Sequence, residues 1–370
     1  MKKKKLFLFF VVSPEMEIEE YLNKMQLVQR SILNLIESHS NEKRKYDDFV
    51  KLLNELKIAE NINDFKLFLY LLLHIYSFHH YSPSFFDYIK QILLLYKDKI
   101  HEYYSNREIF SIFQDNYDVL LYLIESKMLI LDENIANQII PHYIHKYFLP
   151  EINPFLLAKK GKAEPIPADY KTKRAQTQSK TPLMQIFIKD SVTEFDVYVK
   201  KQKSGFLNKS IDPTEFETNV FLRSKYRVSL IQYAAFYGSV KILQYLLKEN
   251  VETDHSLWIF AIYSNNQKII EILEKTEIKM YPENCYLEAI KCYHIDMANY
   301  IKNKYLADKS IDISLKCLEF YNFEFIQKDI INASVFHLLC KYDYISFVKA
   351  LLQDQSIDVN AKDIRNQLFQ

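Results

Sequence analysis

Only three glycines occur in 370 residues, Gly161, Gly205 and Gly238. Phosphate-cradling loops and nucleophile elbows need two or more glycines within a few residues. A G-x-G-x-x-G turn, a P-loop, a kinase phosphate loop and a G-x-S-x-G elbow are therefore excluded. Cysteine is scarce as well: Cys285, Cys292, Cys317 and Cys340 include no C-x-x-C pair. Their spacing suggests neither a structural zinc site nor a disulfide framework, and it suits a reducing cytosol. Charge of one sign is missing, since 48 basic and 47 acidic residues leave a net +1. That balance argues against whole-surface attraction to nucleic acid or an anionic membrane. No long apolar run is present either. The strongest, residues 65–76, is broken by Lys66 and His74 and falls short of the ~20 apolar residues that cross a bilayer, so it reads as a buried core helix.

Catalytic histidine patterns are absent too. His101-Glu102-Tyr103-Tyr104-Ser105 opens like H-E-x-x-H but lacks the second histidine one turn later. On a helix His79 and His80 would point apart, and His142 and His145 share a face without a third ligand. Cys285, Cys292 and His294 fall in one segment, but each reads as a packed side chain. No catalytic residue, cofactor or metal ligand is expected.

What the chain does have is apolar periodicity, with 49% hydrophobic and 26% charged residues, as in globular proteins. The pattern is densest at 229–248. There Ser229, Leu230, Ile231, Gln232 and Ala234 follow the Thr-Pro-Leu-His-x-Ala opening of an ankyrin helix pair, and Gly238 can turn the chain. Ile242, Leu243, Leu246 and Leu247 then form the buried face of a second helix. Placing Ala234 over later positions selects Ala261, Ala289, Cys317 and Leu339, at spacings of 27, 28, 28 and 22 residues by subtraction. Those periods are shorter than the ~33 residues of a standard ankyrin unit, which implies trimmed fingers. The columns Ile242, Ile269, Met297, Phe325, Phe347 and Leu243, Ile270, Ala298, Ile326, Val348 are apolar throughout. The turn column reads Gly238, Asn265, Tyr293, Tyr321, Asp343. Only two of those residues readily accept a left-handed backbone, so the third and fourth units fit least well, the fourth also placing Asp329 where Leu246 falls. His337 occupies the structural histidine position of its unit, while Cys317 and Cys340 replace the small Ala234 and Ala235.

Phe216-Glu217-Thr218-Asn219, the Ser229–Leu247 stretch with its Tyr-Ala-Ala-Phe-Tyr-Gly core, and Ser256-Leu257-Trp258-Ile259-Phe260-Ala261-Ile262 together resemble the uncharacterised domain that accompanies ankyrin repeats in a large family expanded in parasitic protists. The resemblance runs from about Met16 to the end. It implies an ankyrin-type solenoid with an all-helical N-terminal region, and it carries no known catalytic residues.

Residues 1–15, four lysines before a seven-residue apolar run, read as a non-functional leader or misassigned start, with a basic membrane-surface contact as the alternative. Residues 16–158 read as helices, among them Glu17–Ser38, Tyr46–Ala59, a helix opened by Ser82-Pro83, and a degenerate helix pair over Ile109–Glu125 turning at Asn116. Residues 159–180 hold seven basic and two acidic residues and read as a solvated flexible linker; a nucleic-acid contact is the alternative, with only Tyr170 able to stack on a base. Residues 181–370 carry the repeats: a degenerate first unit at 181–228, clearer units at 229–353, and a partial finger at 354–370. With no polar cap, that end should fray or be covered by a partner.

The expected fold is thus an all-α ankyrin-type solenoid with a helical N-terminal region of degenerate helix pairs, and the expected function a non-enzymatic, cytoplasmic protein-interaction scaffold. The candidate contacts for an unknown protein partner are Gln232, Tyr233, Glu252, Asp254, Asp358, Asn360 and Lys362, on inner helix and fingers. The alternatives are a metal-dependent enzyme with a dispersed Cys/His site, and nucleic-acid or membrane attachment through the leader and the 159–180 loop.

Overall fold

The computed structural model describes residues 18–37, 42–80, 84–225, 227–309, 311–326 and 335–353. They are mostly helical. Helices α1 (Ile18–Glu37), α2 (Glu42–Glu55), α3 (Ile62–Phe78), α4 (Phe85–Leu95), α5 (Lys97–Tyr103), α6 (Asn106–Phe113), α7 (Tyr117–Glu125), α8 (Glu133–Ile139) and α9 (Leu149–Lys160) form the N-terminal region. Helices α10 (Tyr170–Gln176), α11 (Pro182–Ile188), α12 (Val192–Lys200) and α13 (Val220–Arg223) follow. Then come the pairs α14 (Leu230–Phe236) with α15 (Val240–Lys248), α16 (Leu257–Ser264) with α17 (Gln267–Leu273), and α18 (Pro282–Lys291) with α19 (Ile295–Tyr305). The last are α20 (Ser314–Glu319), α21 (Phe336–Lys341) and α22 (Ile345–Gln353). Among the described residues the only sheet joins β1 (Ser210–Ile211) to β2 (Val228–Ser229), antiparallel. Ser82 and Pro83 lie outside the described residues, and α4 begins just beyond them.

Local chemistry sets several helix starts. Ser105 with Glu108, and Ser229 with Gln232, each form a capping box at the first turn of α6 and α14. Asn61, Asp132 and Asn219 accept backbone N–H bonds at the starts of α3, α8 and α13.

The repeat unit has a backbone signature. All five turn residues, Gly238, Asn265, Tyr293, Tyr321 and Asp343, have positive φ, and so does Asp190 between α11 and α12. In each case but one, the N–H just past the turn donates to the carbonyl five residues back. Ser191 reaches Ile186, Ser239 reaches Ala234, His294 reaches Ala289, Asn322 reaches Cys317, and Tyr344 reaches Leu339, at 2.8–3.2 Å. These bonds satisfy carbonyls that a helix end otherwise leaves open. They also hold tyrosine in a conformation that costs an L-residue about 1–2 kcal/mol. The third and fourth turns therefore match the others despite their poor residue fit; Asp329 lies outside the described residues.

The residue after each turn also ties its unit to the one before. Ser239 Oγ donates to the Phe187 carbonyl at 2.6 Å, His294 Nδ1 lies 3.0 Å from the Ile262 carbonyl, Asn322 Nδ2 donates to Ile290 at 2.6 Å, and Tyr344 Oη donates to Leu318 at 3.0 Å. Asn266 donates to Gly238, a little further along the same chain path, at 3.1 Å. This ladder runs beside the inner helices, whose column Ala234, Ala261, Ala289, Cys317, Leu339 is fully buried. The alanines and Cys317 of that column are small enough to let neighbouring helices approach closely. Cys340, expected to pack as Ala235 does, is exposed.

The N-terminal region folds back onto the turns of this stack. Lys66, Tyr70, His74 and Phe78 recur every four residues on one face of α3. Lys66 pairs with Asp343 at 2.9 Å, Tyr70 stacks on Tyr321, the His74 ring meets Tyr321 edge-on, and Phe78 packs against Phe320. Helix α1 lies alongside. Tyr21 packs on Phe347, Arg30 forks onto Glu324 at 2.6 and 2.8 Å, and buried Gln29 bonds both Asn322 and the Phe323 N–H. Helix α22, the last described element, packs against α1 and α3 of the same chain, while the end expected to fray or to be covered by a partner is the partial finger beyond it. Residues 354–370 lie outside the described residues.

Residues 159–180 are exposed along most of their length, as a solvated stretch would be, but two side chains dock them to the preceding helices. Tyr170 is 3% exposed and donates to the Lys146 and Tyr147 carbonyls, while Arg174 grips Glu151 at 2.7 and 2.9 Å. Buried in this way, the Tyr170 ring is not open to a base.

Asn322 joins the ladder to α1, so it offers a direct test of the packing. In Asn322→Ala the Ile290 carbonyl and the Gln29 amide both lose a buried partner, and about 2–3 kcal/mol of stability should go with them. Urea unfolding checks this; a loss under ~0.5 kcal/mol, as at an exposed surface site, would contradict the packing.

Candidate functional site

The expected contact residues divide three ways. Gln232, Glu252 and Asp254 come together around a shallow pocket of about 350 Å³, joined by Asn208, Ser210 and Arg227. It sits where the finger before α16 meets β1 and β2. Gln232 is committed locally, accepting from the Ser229 N–H at 2.8 Å and donating to Ser256 Oγ at 2.7 Å. The Asn208 side chain accepts from the Glu252 N–H at 2.9 Å, and Asp254 accepts from the Ser256 N–H at 2.7 Å, so the acidic finger is held in a fixed shape. Tyr233 does not belong to this surface. It is 0% exposed and stacks on Phe187 and Tyr237, because its position on α14 faces the preceding helix rather than solvent. Asp358, Asn360 and Lys362 lie outside the described residues.

A larger cavity, about 930 Å³, opens between the N-terminal helices and the first repeats. Tyr76, Asp118, Arg174, Glu217 and Tyr263 line it, and Lys171 and Lys180 add cationic groups to its wall. Its polar centre is Glu217. One carboxylate oxygen accepts the Asn219 N–H at 2.7 Å; the other is buried with no hydrogen-bond partner among the described residues. Burial pushes this carboxyl up from 4.5 to about 7, against the opposing pull of the Asn219 amide and Arg223. Burial likewise raises Asp118, although Tyr76 donates to it. Asn219, which caps α13, donates to the Tyr263 hydroxyl at 2.7 Å, so the Phe216–Asn219 segment ties the cavity wall to α16.

At one wall of the cavity the histidine expectation needs correcting. His79 and His80 do not point apart. His79 caps the end of α3 with φ −67° and ψ 156°, so the chain leaves helical geometry there and the two rings lie 4.1 Å apart, centroid to centroid. The His294 ring stands 5.0 Å from His79 and 5.6 Å from His80. Burial, and then the two neighbouring imidazoles, holds His294 well below the usual histidine range. His101 and His145, by contrast, bond local carbonyls, Met128 and His142.

Sequence reasoning missed Glu217 as a cavity residue and the three-histidine group altogether. Glu217 carried only a family resemblance, and its burial follows from α13 packing against α3, which no local pattern encodes. His294 lies more than 200 residues from His79 and His80.

Compared with protein-family models, with curated proteins and with solved structures, the chain has no match in any of the three. The functional reading therefore rests on the residues and their geometry. Among the described residues no helix is long and apolar enough to cross a membrane.

Proposed function

We propose that this chain is a non-enzymatic protein-interaction scaffold whose repeats form a solenoid of ankyrin type, in keeping with the protist family that its sequence resembles. One observation carries the reading: the cross-repeat ladder from Ser239 through His294 and Asn322 to Tyr344, which fixes successive helix pairs side by side. Stacks of that kind gain stability from nearest-neighbour burial and leave an extended surface for a partner. Because α1 and α3 occupy the turn side, the free surface is the finger side, where Glu252 and Asp254 stand beside Arg227 and Gln232. Three thiols packed in the core suit a cytoplasmic, reducing setting.

The test is a paired capture. Wild type and a Glu252→Lys, Asp254→Lys variant are expressed in the native cell, cross-linked and recovered. One partner protein should come down with wild type and fall at least about tenfold with the variant, since clustered charge reversal costs more than about 1.4 kcal/mol. The two chains should unfold at the same temperature. Equal recovery from both would remove the finger surface from the proposal.

A further inference from the structure

His294 occupies the ladder position after the third turn, where the other units carry Ser239, Asn266, Asn322 and Tyr344. Its Nδ1 lies 3.0 Å from the Ile262 carbonyl. A carbonyl oxygen can only accept, so Nδ1 carries the proton and Nε2 presents a lone pair. That nitrogen is buried, in a residue 2% exposed, with no hydrogen-bond partner among the described residues. It belongs to a group in which one ring nitrogen from each of His79, His80 and His294 lies within 4.8 Å of the other two.

A histidine whose one ring nitrogen donates to a backbone carbonyl while the other is buried without a partner, its ring beside two further imidazoles, has the arrangement of a metal ligand held by its second shell. The ladder itself does not require histidine, since serine, asparagine and tyrosine serve the same bond in other units. The second nitrogen is therefore what distinguishes this position. Three imidazoles without a thiolate are borderline-soft donors, suited to zinc and its neighbours rather than to calcium or magnesium.

We propose that His79, His80 and His294 bind one divalent ion of the zinc class, clasping the end of α3 to the third turn of the repeat stack. Tetrahedral coordination at about 2.0–2.1 Å needs nitrogens roughly 3.3 Å apart, so the rings close by no more than about 1.5 Å on binding. His79 and His80 sit where α3 has already ended, and His80 is only partly buried, so side-chain rotation there supplies that closure. Both also line the large cavity, which leaves the fourth coordination position for water or a small anion entering from that side. Binding to the folded chain alone would stabilise it by mass action. This inference is independent of the scaffold proposal, because the site lies on the turn side of the stack and not on the finger pocket.

The experiment uses the full chain without a histidine tag, stripped with a chelator and titrated with Zn²⁺ or with Co²⁺ as a visible probe. Wild type should take up one ion per chain, with a cobalt absorption of tetrahedral intensity and a raised unfolding temperature. His294→Asn places in this unit the residue that Asn266 and Asn322 supply in theirs. It keeps a donor for Ile262 and removes only the ligand. Affinity should fall by about 100-fold or more, at least as much as when a second-shell partner is lost, with unfolding in the absence of metal unchanged. His80→Ala, at the partly exposed position, should lose affinity to the same degree and decides the matter if His294→Asn does not fold. Binding that survives either folded variant would put the ion elsewhere, and wild type binding no more tightly than a His79→Ala, His80→Ala, His294→Asn triple variant would overturn the site.

Discussion

Asp64→Ala should destabilise the protein by about 3–5 kcal/mol, the cost of leaving a buried charge without its partner. Asp64 lies on α3 and is 6% exposed. Its oxygens accept from Lys24 Nζ, the Tyr21 hydroxyl and Ser346 Oγ, each at 2.8 Å, so one carboxylate joins α1, α3 and α22. With alanine there, Lys24 stays buried and charged, and two hydroxyls lose an acceptor. Removing both charges is a different matter. Lys24→Met with Asp64→Leu should recover only the part of the loss that comes from the uncompensated Lys24 charge, because apolar pairs of similar volume often replace buried ion pairs without penalty, while the Tyr21 and Ser346 hydroxyls still lack their acceptor. Urea denaturation of the two singles and the double gives the answer. A loss under 1 kcal/mol for Asp64→Ala would mean that this junction is open to water.

Glu217→Gln should raise stability at pH 8 by about 3 kcal/mol and change it little at pH 5. The folded carboxyl titrates near 7 and the unfolded one near 4.5. A folded pKa above the unfolded value means that the folded state holds the proton more tightly. Its stabilising contribution is complete below about 4.5, falls as pH rises from there to about 7, and is gone above. A shift of that size corresponds to about 3 kcal/mol at 1.36 kcal/mol per unit. Glutamine is neutral at every pH and keeps the oxygen that accepts the Asn219 N–H. The difference between variant and wild type therefore isolates this one ionisation. Equal differences at pH 5 and pH 8 would show that Glu217 titrates as an exposed carboxylate does.

Much of the repeat framework was legible in the sequence. The alanine column, the apolar columns and the five turn positions are where the residue pattern puts them, because a helix face and a tight turn leave local marks. The left-handed state of Tyr293 and Tyr321 was not legible. It is imposed by hydrogen bonds past the turn and by packing that outweighs the residues' own preference. The ladder was hidden for another reason: serine, asparagine, histidine and tyrosine share only a side-chain hydrogen-bonding group, so no residue type recurs. The stripe Lys66, Tyr70, His74, Phe78 announces a helix face but not what it faces. Its partners Phe320, Tyr321 and Asp343 lie some 250 residues on, and contacts of that separation have no local signature. Tyr170 misled for the opposite reason. Its basic, polar neighbours are exposed as their residue types suggest, but the ring itself is buried and, with one Arg174–Glu151 fork, docks the segment.

The central claim is that helix pairs stack in sequence and that α1 and α3 close over their turns. Zero-length carbodiimide cross-linking of the monomer, read by mass spectrometry, tests it directly, since only a carboxylate and an amine already in contact become joined. Lys90 with Asp87, at 2.6 Å within α4, is the local control. Lys304 with Glu274 at 2.8 Å reports one repeat on the next, and Lys66 with Asp343 at 2.9 Å reports α3 on the last described turn. All three linked peptides are expected. Recovery of the control without the Lys66–Asp343 and Lys304–Glu274 links would contradict both the stack and its closure.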